Sequence, residues 1–235
     1  MSAHQRLLTD SIAKSALYSA EIGSKQQIQD IYNHVATVNG MSTALNNSGY
    51  TDPQLVLVQE FQSDVLLSMI SFSSGFERLS MMSLRSALES CVFFLYFIDH
   101  PHEYALWEIG AFEPKIKETN SKLRLYHSHL LSKDLNWWLD VLDTQYGLLS
   151  RSVHPSRDFM INDLSNPINI QNSTAHLVPQ WAENARKITR SMICLLYVRF
   201  YSVFEGGRHF ALKKQISDVI TQGESQRLNS LGYIL

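Results

Sequence analysis

The sequence predicts an all-α fold, an irregular multi-helix bundle with about seven to nine helices. Apolar residues recur at helical spacing along most of the 235-residue chain, and this periodicity is the main indicator of amphipathic helices. The periodic segments are separated by glycine, proline or short polar runs, which are the residues that start and stop helices. Only two short apolar runs, 159–161 and 168–170, have a composition that suits a small β-hairpin.

The chain divides into an N-terminal helical pair at residues 1–50 and a main bundle at residues 51–235. The pair consists of two amphipathic segments, Ser11–Ile22 and Lys25–Leu45, with a Gly-Ser break between them. It is either an appendage or part of the core, because no clear linker separates it from the bundle.

The main bundle contains a series of segments with helix start and stop signals. Pro53, Pro101 and Pro179 stand where helices begin, because proline is tolerated in the first helical turn. The predicted helices are a segment from 52 to about 72, 76–98, a segment that starts at 99, 132–154, 179–205 and 209–222. The polar stretch 155–179 between two of them is long for a compact domain, and such a loop is commonly functional or disordered.

Composition predicts a soluble cytoplasmic protein with no overall attraction to nucleic acid or anionic membranes. Lys and Arg number 20 and Asp and Glu 22, so an RNA or DNA contact requires a local basic patch. Cys91 and Cys194 both lie in long apolar runs, as buried free thiols do in a reducing compartment. The most apolar windows, Met81–Ile98 and Ser191–Phe204, contain charged residues, and no apolar signal segment stands at the N-terminus. We therefore predict neither a membrane span nor secretion.

Arg85 and Glu89 are one turn apart on the most apolar of the predicted helices. Burying a charge costs free energy unless a partner compensates it. The pair is therefore either a polar site inside the bundle or a structural ion pair at the edge of the core. The second interpretation is favoured, because ion pairs occupy such positions without any chemistry.

The segment Tyr146–Pro155 has the pattern of a helix end with a proline as stop signal. Tyr146, Ser150 and His154 share one helix face, and Arg151 lies on the adjoining side. Arg151 and His154 fit two interpretations. In one, His154 is the acid or base of a metal-independent RNA cleavage and Arg151 stabilises the charge on the phosphorane. In the other, both are cations that interact with the dipole of the last helical turn, which the spacing favours.

No cofactor or metal site is predicted. The two His-x-His pairs, at 100–102 and 127–129, would need extended backbone to converge on a metal ion, and no phosphate-binding glycine loop or dinucleotide motif is present. Arg208, Lys213 and Lys214 form a small basic patch. A solvated surface is the more common role of such a patch, and nucleic-acid binding is the alternative.

Two segments, 83–96 and 146–156, are together similar to the two hallmark helices of bacterial HEPN-like proteins from abortive-infection and phage-defence operons. The first contains Arg85 and Glu89, and the second contains Leu-Ser-Arg-Ser-Val-His. The resemblance covers about residues 51–204 and implies an all-helical bundle that usually dimerises. Active members of that family are metal-independent endoribonucleases with a longer spacer between their arginine and histidine, whereas here only Ser152 and Val153 separate the two.

We predict on this basis a non-enzymatic, partner-binding helical subunit of a bacterial phage-defence or toxin–antitoxin-type complex. Its expected partners are a protein from the same operon and a further copy of the chain. The alternative is a HEPN-type endoribonuclease that cleaves RNA with His154 and either Arg151 or Arg85. Arg85 and three further residues are expected to form a polar site, namely Glu89, Tyr146 and Ser150.

Overall fold

The structure, a computed structural model, describes residues 13, 15–17, 19–22, 25–50, 55–130, 136–153, 177–205 and 209–235. Within these ranges the chain consists of helices and short connections without any strand, which confirms the all-α prediction. The HEPN-like core stays a prediction. The helices in chain order are α1 (helical residues at 13, 15–17 and 19–22), α2 (Gln26–Asn47), α3 (Leu55–Ser73), α4 (Glu77–Phe97), α5 (Pro101–Glu108), α6 (Ile116–Leu130), α7 (Asn136–Val153), α8 (Val178–Arg199), α9 (Tyr201–Phe204), α10 (Phe210–Val219) and α11 (Gln222–Ser230).

Two of the candidate functional residues, His154 and Arg208, lie outside the described residues. The same holds for the two runs of the predicted hairpin, 159–161 and 168–170, and for most of the predicted loop 155–179. The last described residue of α7 is Val153, directly before His154.

The centre of the bundle is the hairpin of α3 and α4. Gly75, with φ of 90°, lies in the turn between them, in the left-handed region that glycine adopts without strain. Trp181 of α8 is fully buried against this hairpin, where its ring stacks on that of Phe72 at 5.0 Å. Its Nε1 donates to Ser68 Oγ at 3.0 Å, and Ser68 is hydrogen-bonded to Ser80 Oγ at 2.8 Å. One buried polar chain therefore ties α3, α4 and α8 together.

The described part of the N-terminal pair shares this core. The helix α2 packs along α8 and also contacts α3 and α10. Ile31 and Val38 on its apolar side are fully buried. At Gly40 an added Cβ would come within 3.0 Å of Leu212 Cδ1, so the glycine permits the close approach of α10. The apolar residues of α2 therefore belong to the hydrophobic core.

The C-terminal region differs from the sequence prediction. A single helix was predicted over 209–222, whereas α10 ends at Val219 and α11 follows at Gln222. Thr221 starts α11 with a capping box: its Oγ accepts from the Glu224 backbone N–H at 3.2 Å, and its own N–H donates to the Glu224 carboxylate at 2.7 Å. This Thr-x-x-Glu signal is visible in the sequence and was missed. The predicted helix 179–205 is likewise divided, at Phe200 between α8 and α9.

By length and composition, α3 is the one described helix that could cross a membrane. Half of its apolar 18-residue stretch is buried inside the bundle, chiefly against α4. This is the behaviour of a core helix in a soluble protein, which explains its composition without a lipid environment.

Candidate functional site

The structure brings Arg85, Glu89 and Tyr146 into direct contact between α4 and α7. One terminal nitrogen of the Arg85 guanidinium donates to the Tyr146 hydroxyl at 3.0 Å, and the same nitrogen is 3.2 Å from a Glu89 carboxylate oxygen. The guanidinium carbon also lies 5.1 Å from the centre of the Tyr146 ring. We call these three residues the Arg85 cluster.

The Arg85 cluster lies at the edge of the core. The side chains of Arg85 and Glu89 are 24% and 31% exposed, so each charge is partly removed from water and is compensated mainly by the other. Arg85 thus has two partners from this chain, a carboxylate and a hydroxyl, both at the same terminal nitrogen. This geometry is that of an internal polar brace between two helices.

Ser150 lies one turn after Tyr146 on the same face of α7. Its Oγ and the Arg85 Nε are both buried and have no hydrogen-bond partner among the described residues. Two polar atoms at this interface therefore retain hydrogen-bonding capacity.

Arg151 belongs to a different surface. It is exposed, and it lines a cavity of about 250 Å³ between α7 and α8. The other residues around that cavity are Met81, Leu148, Leu149, Ser152, Gln180 and Asn184. The Arg85 cluster and Ser150 are absent from its lining. The two arginines considered for catalysis are therefore placed at separate sites, and the partner proposed for both, His154, lies outside the described residues.

The two histidines of the first His-x-His pair have different surroundings. His100 stacks on the Tyr96 ring at 4.1 Å, and its Nδ1 is 2.8 Å from the Tyr96 carbonyl oxygen, while His102 is exposed. Among the described side chains no three His, Cys, Asp or Glu residues are grouped as metal ligands. The side chains of the second pair, at 127 and 129, lie outside the described part.

A polar network that the sequence did not suggest joins α4, α5 and α6. The Tyr96 hydroxyl donates to Glu103 and accepts from Lys122 Nζ at 2.8 Å. Burial, together with the Glu103 carboxylate, raises the pKa of Tyr96. The hydroxyl therefore stays protonated at neutral pH, and the network holds α6 on the end of α4.

The basic patch at Lys213 and Lys214 is diluted by acidic neighbours. Both lysines line a cavity of about 310 Å³, and Glu205 and Asp218 line the same cavity. Phe210, also at this cavity, is 73% exposed. The mixed charge makes this a poor site for a polyanion, because the carboxylates repel phosphate.

Four exposed apolar side chains lie on the outer side of the α3–α4 hairpin. Leu67 and Ile70 of α3 are 45% and 64% exposed, and Leu79 and Met82 of α4 are 46% and 44% exposed. The hydrogen bond between Ser68 and Ser80 places Leu67 level with Met82, and Ile70 level with Leu79, in the antiparallel hairpin. We call these four residues the apolar face.

Acidic residues continue this surface one to two turns away. Glu60 is exposed and Asp64 is half-buried on α3. Burial raises the pKa of Asp64, the charge of Glu60 raises it further, and a hydrogen bond with Ser86 of α4 opposes the rise. The outer side of the hairpin thus has an apolar end and an end with two mutually repelling carboxylates.

The chain matches no known family model, and neither the curated proteins nor the solved structures contain a significant relative.

Proposed function

We propose that this chain is a cytoplasmic, non-enzymatic subunit that binds a helical protein partner, in a bacterial phage-defence or toxin–antitoxin-type complex encoded in one operon. The observation that carries the proposal is the apolar face. Four large side chains, each between 44% and 64% exposed, stand together on two adjacent helices. Grouped exposed apolar residues with a polar margin are typical of protein–protein contact sites, whereas isolated ones are ordinary.

The partner segment that suits this surface is an amphipathic helix. Two antiparallel helices form a shallow groove, and the side chains of a third helix fill such a groove at three- and four-residue intervals. Glu60 and Asp64 indicate the charge of the partner: a Lys or Arg placed there would relieve their repulsion. The expected partner helix therefore carries large apolar residues at one end and basic residues at the other.

The Arg85 cluster supports a non-catalytic role. Stabilising a phosphorane requires donors that point at the reacting phosphate in advance. One terminal nitrogen of Arg85 points at Tyr146 and Glu89. Moving the guanidinium away would leave the Glu89 carboxylate partly buried without its counterion.

The test is the affinity of the purified chain for the products of neighbouring genes, each expressed separately and measured by biolayer interferometry. The double variant Leu67→Asp, Ile70→Asp introduces two charges into the apolar face. The matched control is Ile109→Asp, Phe210→Asp, because these residues are 75% and 73% exposed and lie elsewhere. Residues central to an interface contribute about 2 kcal/mol or more each, so the face variant is expected to bind at least about a hundredfold more weakly. The control variant is expected to bind like the parent.

Two results would overturn the partner-helix proposal. One is equal binding by the face variant and the control. The other is a wild-type dimer, measured by light scattering, that only the face variant converts to monomer, since a second copy would then occupy the face.

The second candidate function is a metal-independent endoribonuclease with His154 as acid or base. The observation that favours it is the unused hydrogen-bonding capacity of Arg85 Nε and Ser150 Oγ, which a phosphate oxygen and a ribose hydroxyl could take up. It requires that His154→Ala abolishes RNA cleavage and cell toxicity while the circular dichroism spectrum is unchanged. A His154→Ala protein that is as toxic as the parent rules this function out.

A further inference from the structure

A pair of arginines, remote in sequence from the Arg85 cluster, lines an open polar pocket. Arg186 and Arg190 are one turn apart on α8, and His34 of α2 lines the same pocket of about 260 Å³. Asp30 and Asn33 of α2 and Asp218 of α10 complete its polar lining. We call this the Arg190 pocket.

The hydrogen bonds of Thr189 indicate which ring nitrogen of His34 carries the proton. The Thr189 hydroxyl donates to the Ala185 carbonyl at 2.9 Å, so its oxygen is available to His34 only as an acceptor. His34 Nδ1, 2.6 Å from that oxygen, is therefore the donor, and Nε2 carries the lone pair. Nε2 has no hydrogen-bond partner among the described residues and is the ring atom left for a ligand.

The imidazole is also held neutral. Burial, Arg190 and Arg186 together lower the pKa of His34 to about 4, against an opposing effect of the Asp30 carboxylate. At neutral pH His34 is therefore a hydrogen-bond acceptor beside two guanidinium groups.

Arg190 is the least compensated of these charges. Its Nε donates to the Arg186 carbonyl at 3.3 Å, and its nearest carboxylate oxygen, on Glu224, is 3.9 Å away. That oxygen already accepts from the backbone N–H and the hydroxyl of Thr221 at 2.7 and 2.8 Å. The terminal nitrogens of Arg190 make no hydrogen bond with any described residue, although the side chain is only 14% exposed.

Arg186, in contrast, has a direct counterion. Its terminal nitrogen is 3.1 Å from an Asp30 carboxylate oxygen. Like charges one turn apart on a helix are destabilising, so the pair Arg186 and Arg190 gives α8 no local advantage. A fork of partly buried donors without an acceptor is the arrangement that recognises a planar or tetrahedral oxyanion.

We propose that the Arg190 pocket binds a small oxyanion that also carries hydroxyl groups, either a hydroxy acid or a sugar phosphate. Arg190 binds the carboxylate or phosphate, and His34 Nε2 and the Asp218 carboxylate accept hydrogen bonds from the hydroxyls. The volume limits the ligand to a few polar groups around the oxyanion. Asp30 and Asp218 at the lining disfavour a polyanion such as RNA.

The test is isothermal titration calorimetry on the full chain with ribose 5-phosphate, malate and ribose. We expect ribose 5-phosphate or malate to bind, and the one that binds identifies the oxyanion as phosphate or carboxylate. Ribose, which has the hydroxyls but no charge, is expected not to bind. Loss of a charged hydrogen-bond fork predicts that Arg190→Gln weakens binding by about tenfold or more.

The matched control is Lys187→Gln, which removes one positive charge from the same helix next to Glu183 and outside the pocket. It is expected to bind the anion like the parent. Should Arg190→Gln unfold at a lower temperature, Arg190→Lys keeps the charge, removes the fork, and is expected to weaken binding several-fold.

The proposal is overturned if neither anion binds, if ribose binds as tightly as ribose 5-phosphate, or if the Arg190 and Lys187 variants respond alike. Displacement of the small anion by an equal concentration of a short single-stranded RNA would instead assign the pocket to nucleic acid and also overturn it. These outcomes do not depend on the apolar face, so the partner proposal stands or fails separately.

Discussion

Two pairs of charged residues in this bundle, one Arg–Glu and one Arg–Arg, have the same spacing and opposite environments. Arg85 and Glu89 are four apart on α4 and neutralise each other at 3.2 Å. Arg186 and Arg190 are also four apart, on α8, but carry the same charge, so each must find a partner from another helix. Arg186 finds Asp30 at 3.1 Å, whereas Arg190 comes no closer than 3.9 Å to Glu224.

This difference shows which polar cluster is built for the fold and which is open to a ligand. A charge pair that is complete within one helix can be covered by a neighbour such as Tyr146, and it then braces the interface. A like-charged pair leaves hydrogen-bond donors without an acceptor, and here these donors border a pocket of about 260 Å³. The Arg85 cluster, which the sequence predicted, is thus the one whose charges are already paired.

The largest expected effect is the pH dependence introduced by His34. Its pKa is about 4 in the folded protein, against 6.5 as the reference, so the unfolded chain binds the proton more tightly. As pH falls from 6.5 to 4, protonation favours the unfolded state and stability falls by up to about 3 kcal/mol. Urea unfolding of the wild type and of His34→Gln over this range should give a smaller loss in the variant. Equal pH slopes would contradict the buried, neutral imidazole.

Breaking the closed cluster is expected to rank second. Arg85→Met leaves the partly buried Glu89 carboxylate without a counterion and should lower the free energy of unfolding by about 2 kcal/mol. The double variant Arg85→Met, Glu89→Leu removes both charges and should recover most of this loss in urea titrations. A double variant as unstable as the single one would mean that Arg85 is held by something other than Glu89.

A smaller effect is expected from Tyr146→Phe. The ring stays under the guanidinium and only the hydrogen bond at 3.0 Å is lost, which costs about 1 kcal/mol in thermal or urea unfolding. The matched change Tyr201→Phe should be nearly neutral, because the Tyr201 hydroxyl makes no hydrogen bond with any described residue. If the two changes cost the same, the Tyr146 hydroxyl contributes no specific brace.

The smallest effect on stability is expected from Arg190→Met. The weak contact with Glu224 and the relief of repulsion from Arg186 nearly cancel, so the free energy of unfolding should change by less than about 1 kcal/mol. Urea unfolding without ligand measures this directly. A loss as large as that of Arg85→Met would show that Arg190 is a structural brace too, and it would remove the contrast between the pairs.

The fold was largely predictable because helix signals are local. The turn at Gly75, the helix start at Pro101 and the start near Pro179 all lie where the sequence placed them. The missed boundary at Thr221 was also local, since the capping box was written in the sequence. Apolar periodicity continues past this start signal, so periodicity alone does not mark the boundary between α10 and α11.

The candidate sites were predictable only in part. Arg85 and Glu89 were found because their spacing and apolar surroundings are a one-dimensional pattern. His34, Arg186 and Arg190 were not singled out, and the available signal, two arginines one turn apart on an amphipathic helix, points equally to a solvated surface. The apolar face was also not predicted, since Leu67 and Ile70 have the same helical spacing as the core residues of α3.

The sequence by itself determined that this chain is an all-helical bundle, where most helices begin and end, and that Arg85 and Glu89 form a pair. Only the tertiary structure decided which side chains meet between helices: Arg85 with Tyr146, 61 residues on, and His34 with Thr189, 155 residues on. Periodicity and capping depend on neighbours within two turns, so they can be read along the chain. Which apolar stripe is buried, and which arginine keeps its donors, depends on how the helices pack, and no local pattern contains that information.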